Sequence, residues 1–371
     1  ALSDGKSIIK KILRSKDTKA TIDACNAFGV DIDESDDTIT ITNTIGNTIQ
    51  GCMINAQNSG TTIRIAIAIA ALSGGNTELT GDESLKQRPM RPILTSLEEL
   101  GVNTESDEGR PPVRIIGKIK GRHVAVKGDI SSQFITALLI IAPRLEKGLV
   151  IEIGGDVVSK PYIDLTIATM KQFGVDVMVN EPYKKYTIEH QIYKPTTFTI
   201  PSDFSNLALL LSANVLLGDG LTIKISLGEL PQGDEKIIDI LEKLGVIVTL
   251  QDDKITTKSP ESLDGGKFDL SDTPDLLPAL AILSLKSKNP IEIFNVKHAR
   301  YKETDRIAII CSELQKIGIH VTEKDDGMIL EKSDLVTGTE LNSHKDHRLF
   351  MAFSIVAMYI GDCVVTDPDS V

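Results

Sequence analysis

The side chains best suited to chemistry gather at the mouths of apolar helices. Arg64 lies one turn inside the run opened by Asn58-Ser59-Gly60-Thr61, and Arg88 stands before Pro89 on a stiff backbone. Lys302 and Arg306 lie four apart in Arg300-Tyr301-Lys302-Glu303-Thr304-Asp305-Arg306, sharing a helix face, and Arg348 ends Lys345-Asp346-His347-Arg348 directly before Leu349. Taken singly, each is a solvated loop or a salt-bridged turn; what they share is a place at a helix start. Arginine grips phosphate and carboxylate bidentately, so the set predicts a small-molecule substrate with several negative charges. Asp269, Glu303, Asp346 and His347 stand beside these cations as candidates for moving protons. Ser131-Ser132-Gln133 adds two hydroxyls and an amide at another helix start, where they either cap the helix or touch anion oxygens. The sequence holds no nucleophile-with-base pair, no Gly-Lys-Ser/Thr loop, no dinucleotide fingerprint and no metal-ligand cluster. The expected chemistry is therefore charge stabilisation and proton transfer, with no cofactor and no metal.

The elements that must position these residues recur. Polar starts to apolar runs, marked by Ser59, Ser131, Asp203, Asp275 and His347, follow one another at steps of 72 residues. A second helix recurs in parallel, closed by a glycine and a Val or Ile: Gly29-Val30, Gly101-Val102, Gly174-Val175, Gly245-Val246 and Gly318-Ile319. Each such glycine reads as a helix C-cap leading into a strand. A period of this length is about twice that of solenoid repeats and leaves room for two helices and three or four strands per unit. The register extends past both ends of the sequence. The reading is therefore a sixth unit split between the termini and mostly absent, with the first polar helix start and the last helix missing.

Composition sets the outer bounds. The 371 residues carry a net charge of −12 and no tryptophan, which argues against a nucleic-acid partner. No apolar run reaches the length of a membrane span, so no membrane partner is expected. Cys25, Cys52, Cys311 and Cys363 are too scattered for a disulfide framework or a metal site, which favours a reducing compartment. The expectation is a cytoplasmic monomer.

The residues that carry these signals resemble, in order and spacing, the 5-enolpyruvylshikimate-3-phosphate synthases. They are Asn58-Ser59-Gly60-Thr61, Gln87-Arg88-Pro89, Ser131-Ser132-Gln133, Ser159-Lys160-Pro161-Tyr162, Asp269, Lys302-Glu303-Thr304-Asp305-Arg306 and Asp346-His347-Arg348. The resemblance spans the chain and implies an α/β, two-domain enolpyruvyl transferase fold. In it each domain holds three βαβαββ-type units, with helix N-termini facing the interdomain cleft; the domains would be residues 1–200 and 201–371. It implies transfer of the enolpyruvyl group of phosphoenolpyruvate to the 5-hydroxyl of shikimate 3-phosphate, with loss of phosphate. By the same resemblance Ser131, Ser132, Gln133, Ser159, Asp269, His298 and Lys302 would hold shikimate 3-phosphate. Gly60, Arg88, Gln133, Arg306 and Arg348 would hold phosphoenolpyruvate. Asp269 would take the hydroxyl proton, Glu303 would protonate C3, and Lys302 would stand among the catalytic groups.

Three features depart from the family pattern. The family's N-terminal Lys-Ser-x-x-x-Arg and its C-terminal lysine are absent, and His298 stands where many members have Asn. Losing two cations from a trianion site, at about 1.5–3 kcal/mol per charge-assisted hydrogen bond, predicts a weakly active or inactive chain. Two other readings exist. UDP-N-acetylglucosamine enolpyruvyl transferase shares fold and donor but typically carries a Cys in the loop matching Asp82 to Arg88, which has none here. A non-catalytic anion-binding repeat scaffold would explain the repeats but not the carboxylates among the cations.

Overall fold

A computed structural model describes residues 1–43, 51–72, 74–218 and 221–370. It divides into two compact units, Ala1–Ile200 and Pro201–Val371, the last residue lying outside the described set. The helices of the first unit are α1 (Lys16–Ala27), α2 (Gly60–Ala70), α3 (Arg91–Glu99), α4 (Gln133–Ile141) and α5 (Lys160–Gln172). Those of the second are α6 (Phe204–Leu217), α7 (Lys236–Lys243), α8 (Leu277–Ile282), α9 (Arg306–Lys316) and α10 (His347–Ile360).

The first unit holds three four-stranded sheets. In one, strand Met53–Asn55 leads through α2 to a parallel partner, Asn76–Thr80; α3 follows, then the antiparallel pair Asn103–Asp107 and Arg110–Ile116. The order recurs with His123–Lys127, α4, Leu149–Gly154, α5 and the pair Met178–Glu181 and Lys185–Ile188. The second unit repeats it with Gly266–Asp269, α8, Ile291–Phe294, α9 and the pair His320–Lys324 and Gly327–Glu331. In the remaining sheet of the first unit, the early strand Gly5–Lys10 pairs in parallel with Thr197–Thr199 at that unit's end.

Periodicity explains which helices go inside. In α2 and α4 apolar residues fall on nearly every face, so these helices sit in the core and pack on one another. In the second unit α6, α8 and α10 do the same. Of the helices closed by a left-handed glycine, α3, α7 and α9 are amphipathic and pack on strands. Gly29, Gly101, Gly174, Gly245 and Gly318 all have φ between 76° and 93°, the left-handed region where a side chain is strained. The residues spaced by 72 also land on helix starts. Ser59 and Asp203 are N-caps of α2 and α6, Ser131 lies two residues before α4, and His347 begins α10. Asp275 differs, lying in a 3-10 turn, Pro274–Leu276, that feeds α8. The apolar run over 276–285 is divided there into 3-10, α and 3-10 segments. Among the described residues no helix is long and apolar enough to cross a membrane, and the cysteines are free thiols.

Ile67, fully buried in α2, is a direct test of this core. Ile67→Ala is expected to lower the stability of the first unit by about 2–5 kcal/mol in urea unfolding, without loss of helix content.

Candidate functional site

In the first unit the start of α2 is shaped to admit two guanidinium groups. Ser59 caps it, its Oγ accepting the Thr62 N–H at 3.3 Å. Gly60 is the first helical residue. A Cβ there would lie 2.9 Å from Arg88 Nη1 and 3.0 Å from Arg64 Nη1, so the missing side chain is what lets both cations reach the helix mouth. Both arginines are buried. Arg88 donates from Nη2 to Asn58 Oδ1 at 2.6 Å. Arg64 donates from Nη1 to Gln133 Oε1 and lies over the Phe134 ring, 5.1 Å from its centroid. Gln133 in turn donates to Thr61 Oγ1 at 2.8 Å. The structure thus brings Gly60, Arg88 and Gln133 together and adds Arg64. A helix N-terminus with its free N–H groups, joined by two guanidiniums, is a receptor for an anion.

The hydroxyl-bearing residues stand at two further helix starts of the same unit. Ser131 Oγ accepts the Gln133 N–H at 3.3 Å, while Ser132, at the N-cap of α4, makes no side-chain cap. Ser159, at the N-cap of α5, is buried in a left-handed conformation (φ 57°) and likewise makes no cap. α4 packs on α5, and Val158 N–H donates to Gly128 O at 3.1 Å, tying the two approaches together.

In the second unit the charges interlock. Arg306, 1% exposed, donates from Nε to Asp346 Oδ2 (2.8 Å), from Nη1 to Asp275 Oδ1 (3.0 Å) and from Nη2 to Glu303 Oε2 (2.6 Å). Asp275 also faces Lys302 Nζ at 3.5 Å and Arg348 Nη2 at 3.9 Å. Lys302, Arg306 and Arg348 are thus matched by Asp275, Glu303 and Asp346, three cations to three carboxylates. Arg306, which the resemblance assigns to phosphoenolpyruvate, is buried and multiply paired here. Burial alone would raise the Asp275 carboxyl, but Lys302, Arg348 and Arg306 outweigh it and hold it far below the usual carboxylate range.

Two proton-transfer candidates take other places. Asp346 is fully buried and caps α10, accepting the Arg348 and Leu349 N–H groups at 2.9 and 3.3 Å while it holds Arg306. Its work is to cap and clamp. Asp269 is not brought into the charged group: it accepts from Ser271 N–H at 2.8 Å and from Asn295 Nδ2 at 2.7 Å. The carboxylate facing the cations is Asp275, six residues on. The spacing of 72, which marks it as a helix start, is the sequence signal that singles it out.

His298 is 5% exposed, and its Nε2 has no hydrogen-bond partner among the described residues. Burial, reinforced by the Lys302 charge and opposed by Asp275, pushes its pKa down to about 4. The folded value lies below the ordinary one near 6.5, so between pH 6.5 and about 4 the unfolded chain binds a proton that the folded chain does not. The stabilisation from keeping His298 neutral is complete above that window and is lost as pH falls through it. Urea unfolding from pH 7 to 4 should show His298→Gln with a shallower acid-side loss than the parent, by at most about 1.4 kcal/mol per pH unit.

The family model described as EPSP synthase (3-phosphoshikimate 1-carboxyvinyltransferase) matches residues 1–371. The chain is 56% identical over 371 residues to the 3-phosphoshikimate 1-carboxyvinyltransferase of Nitrosopumilus maritimus, covering 100% of this chain and 88% of that protein. It is 38% identical to the protein of that name from Methanosphaera stadtmanae, covering 99% and 88%. The chain thus spans 88% of the length of each of these two relatives. The EPSP synthase structure from Acinetobacter baumannii shares the fold at a TM-score of 0.76 and 24% identity, over 99% of this chain and 85% of that one. The enolpyruvyl transferase NikO from Streptomyces tendae does so at 0.71 and 16%, over 98% and 85%. The chain belongs to the EPSP synthase (3-phosphoshikimate 1-carboxyvinyltransferase) family.

Proposed function

We propose that this chain transfers the enolpyruvyl group of phosphoenolpyruvate to the 5-hydroxyl of shikimate 3-phosphate and releases phosphate, as a cytoplasmic monomer. The observation that carries the reading is the meeting of Lys302, Arg306 and Arg348 on one carboxylate, Asp275. Enolpyruvyl transfer needs cations that hold a trianionic donor and, beside them, a carboxylate ionised and ready for a proton.

In the first unit, Gly60, Arg88 and Gln133 serve phosphoenolpyruvate, with Arg64 beside them; Ser131, Ser132, Ser159 and Gln133 serve shikimate 3-phosphate. In the second, Arg306 and Arg348 serve the donor, and Lys302 and His298 the acceptor. A neutral imidazole with a free Nε2 suits a hydrogen bond to a substrate hydroxyl. The hydroxyl oxygen bonds to C2 of phosphoenolpyruvate as its proton leaves and C3 gains a proton. The tetrahedral adduct then loses a C3 proton and the phosphate together, restoring the enol double bond. Asp275 is the better placed acceptor for the hydroxyl proton, and Asp269 supports it from the neighbouring strand end. Held low by its cations, the Asp275 carboxylate is a weak base in the empty protein. A bound trianion competes for Lys302 and Arg348, and each cation drawn away raises its basicity. Glu303, which accepts from Arg306 Nη2 at 2.6 Å, can protonate C3 only after taking up a proton itself.

Phosphate release on mixing phosphoenolpyruvate with shikimate 3-phosphate tests the reaction. UDP-N-acetylglucosamine as acceptor should give none; release with that acceptor alone would transfer the reading to the nucleotide-sugar enzyme. Asp275→Asn should lower kcat by roughly 10²–10⁴-fold, the range for a general base, while Asp269→Asn changes it far less. The opposite ranking returns the proton to Asp269.

A further inference from the structure

We infer that Asp82 is a positioning residue that fixes, through Asn58, the direction in which Arg88 presents its guanidinium. The inference rests on the proposed role of Arg88 toward phosphoenolpyruvate. Asn58 Nδ2 donates to Asp82 Oδ2 at 2.7 Å, and Asn58 Oδ1 accepts from Arg88 Nη2 at 2.6 Å. An ionised carboxylate only accepts hydrogen bonds and a guanidinium only donates them, whereas an amide has one end of each kind. An asparagine bridging the two has a single workable orientation. Asp82 therefore decides that Arg88 meets an oxygen and not an NH2 group.

The same carboxylate acts on the backbone that carries Arg88. Asp82 Oδ1 accepts the Leu85 N–H at 2.8 Å. Leu85 opens the 3-10 turn Leu85–Gln87, which hands the chain directly to Arg88. The Asp82 N–H donates to Gln57 O at 2.8 Å, on the residue preceding Asn58. Side-chain partner and backbone of Arg88 thus depend on one exposed aspartate. With Nη2 held by Asn58, Nη1 is left beside Gly60 at the mouth of α2.

The sign of the effect separates this role from simple electrostatics. Removing a negative charge near an anion site should tighten anion binding. Removing the orientation lock should weaken it. In Asp82→Asn the oxygen stays with Leu85 N–H and an NH2 faces the NH2 of Asn58. The Asn58 amide then turns over and sets a donor against Arg88.

The test compares Asp82→Asn with Glu83→Gln, which removes the same charge one residue along, where its partner is Lys86 Nζ at 2.7 Å. Asp82→Asn should raise KM for phosphoenolpyruvate about tenfold, the scale of one charge-assisted hydrogen bond, and its calorimetric Kd alike. KM for shikimate 3-phosphate and Tm should not move, and Glu83→Gln should change none of these. A crystal structure of ligand-free Asp82→Asn should show Arg88 displaced from Gly60. Unchanged or tighter phosphoenolpyruvate binding in Asp82→Asn, or an unmoved Arg88, overturns the inference. A parent chain that binds phosphoenolpyruvate without turnover overturns the proposed reaction instead, and the Kd ratio and the Arg88 position then decide the lock by themselves.

Discussion

Arg306 is the charge on which the second unit depends. Taking a guanidinium out of water is costly unless its N–H groups are met by good acceptors, and breaking such a buried pair destabilises by about 3–5 kcal/mol. Here the acceptors come from three places in the chain: Asp346 at the start of α10, Asp275 in the turn before α8, and Glu303 just ahead of α9. Satisfying one arginine therefore pins three helix starts to each other. Asp346 shows how tightly this is drawn: one side chain caps α10 and holds the arginine that opens α9. The local rule for capping a helix and the long-range rule for pairing a buried charge are met by the same two oxygens.

The first unit meets a similar demand differently. Arg64 and Arg88 touch the amides of Gln133 and Asn58, and a neutral amide satisfies an N–H without cancelling the charge. A carboxylate, Asp82, enters one step further out, where it orients the amide and not the cation itself. The contrast matters for chemistry. A cradle with amides among its partners keeps charge to offer a ligand. A cluster of three cations and three carboxylates offers it only when an ion pair is exchanged.

Much of this was legible in the sequence. The glycines closing α1, α3, α5, α7 and α9 could be read because a helix that ends in a left-handed residue all but requires glycine. The spacing of 72 located helix starts because polar caps must precede apolar runs. What could not be read was pairing across distance. Arg306 and Asp346 lie 40 residues apart, and no pattern along the chain says that one will neutralise the other. Nor does it separate Asp269 from Asp275. Asp269 ends a strand and is drawn to Asn295, a residue forced to φ 58° at the end of the parallel neighbour, whereas the 3-10 turn at Pro274 turns Asp275 toward Lys302. Sequence supplied the right residue types and helix mouths, and the local turn geometry decided which carboxylate faced the cations.

That choice of carboxylate couples binding to proton transfer. In the empty cluster Asp275 is stabilised as the anion by Lys302, Arg348 and Arg306, so it stays unprotonated and is a weak base. An arriving phosphate or carboxylate group offers the same cations a competing partner. In the proposed reaction, cations that turned to such a group would leave Asp275 a stronger base. That change runs in the direction the proposed addition to an enol requires, a stronger base near the hydroxyl. On that reading the neutrality of the cluster, which at first sight weakens it as an anion site, would let the substrate's charge strengthen the base that acts on it.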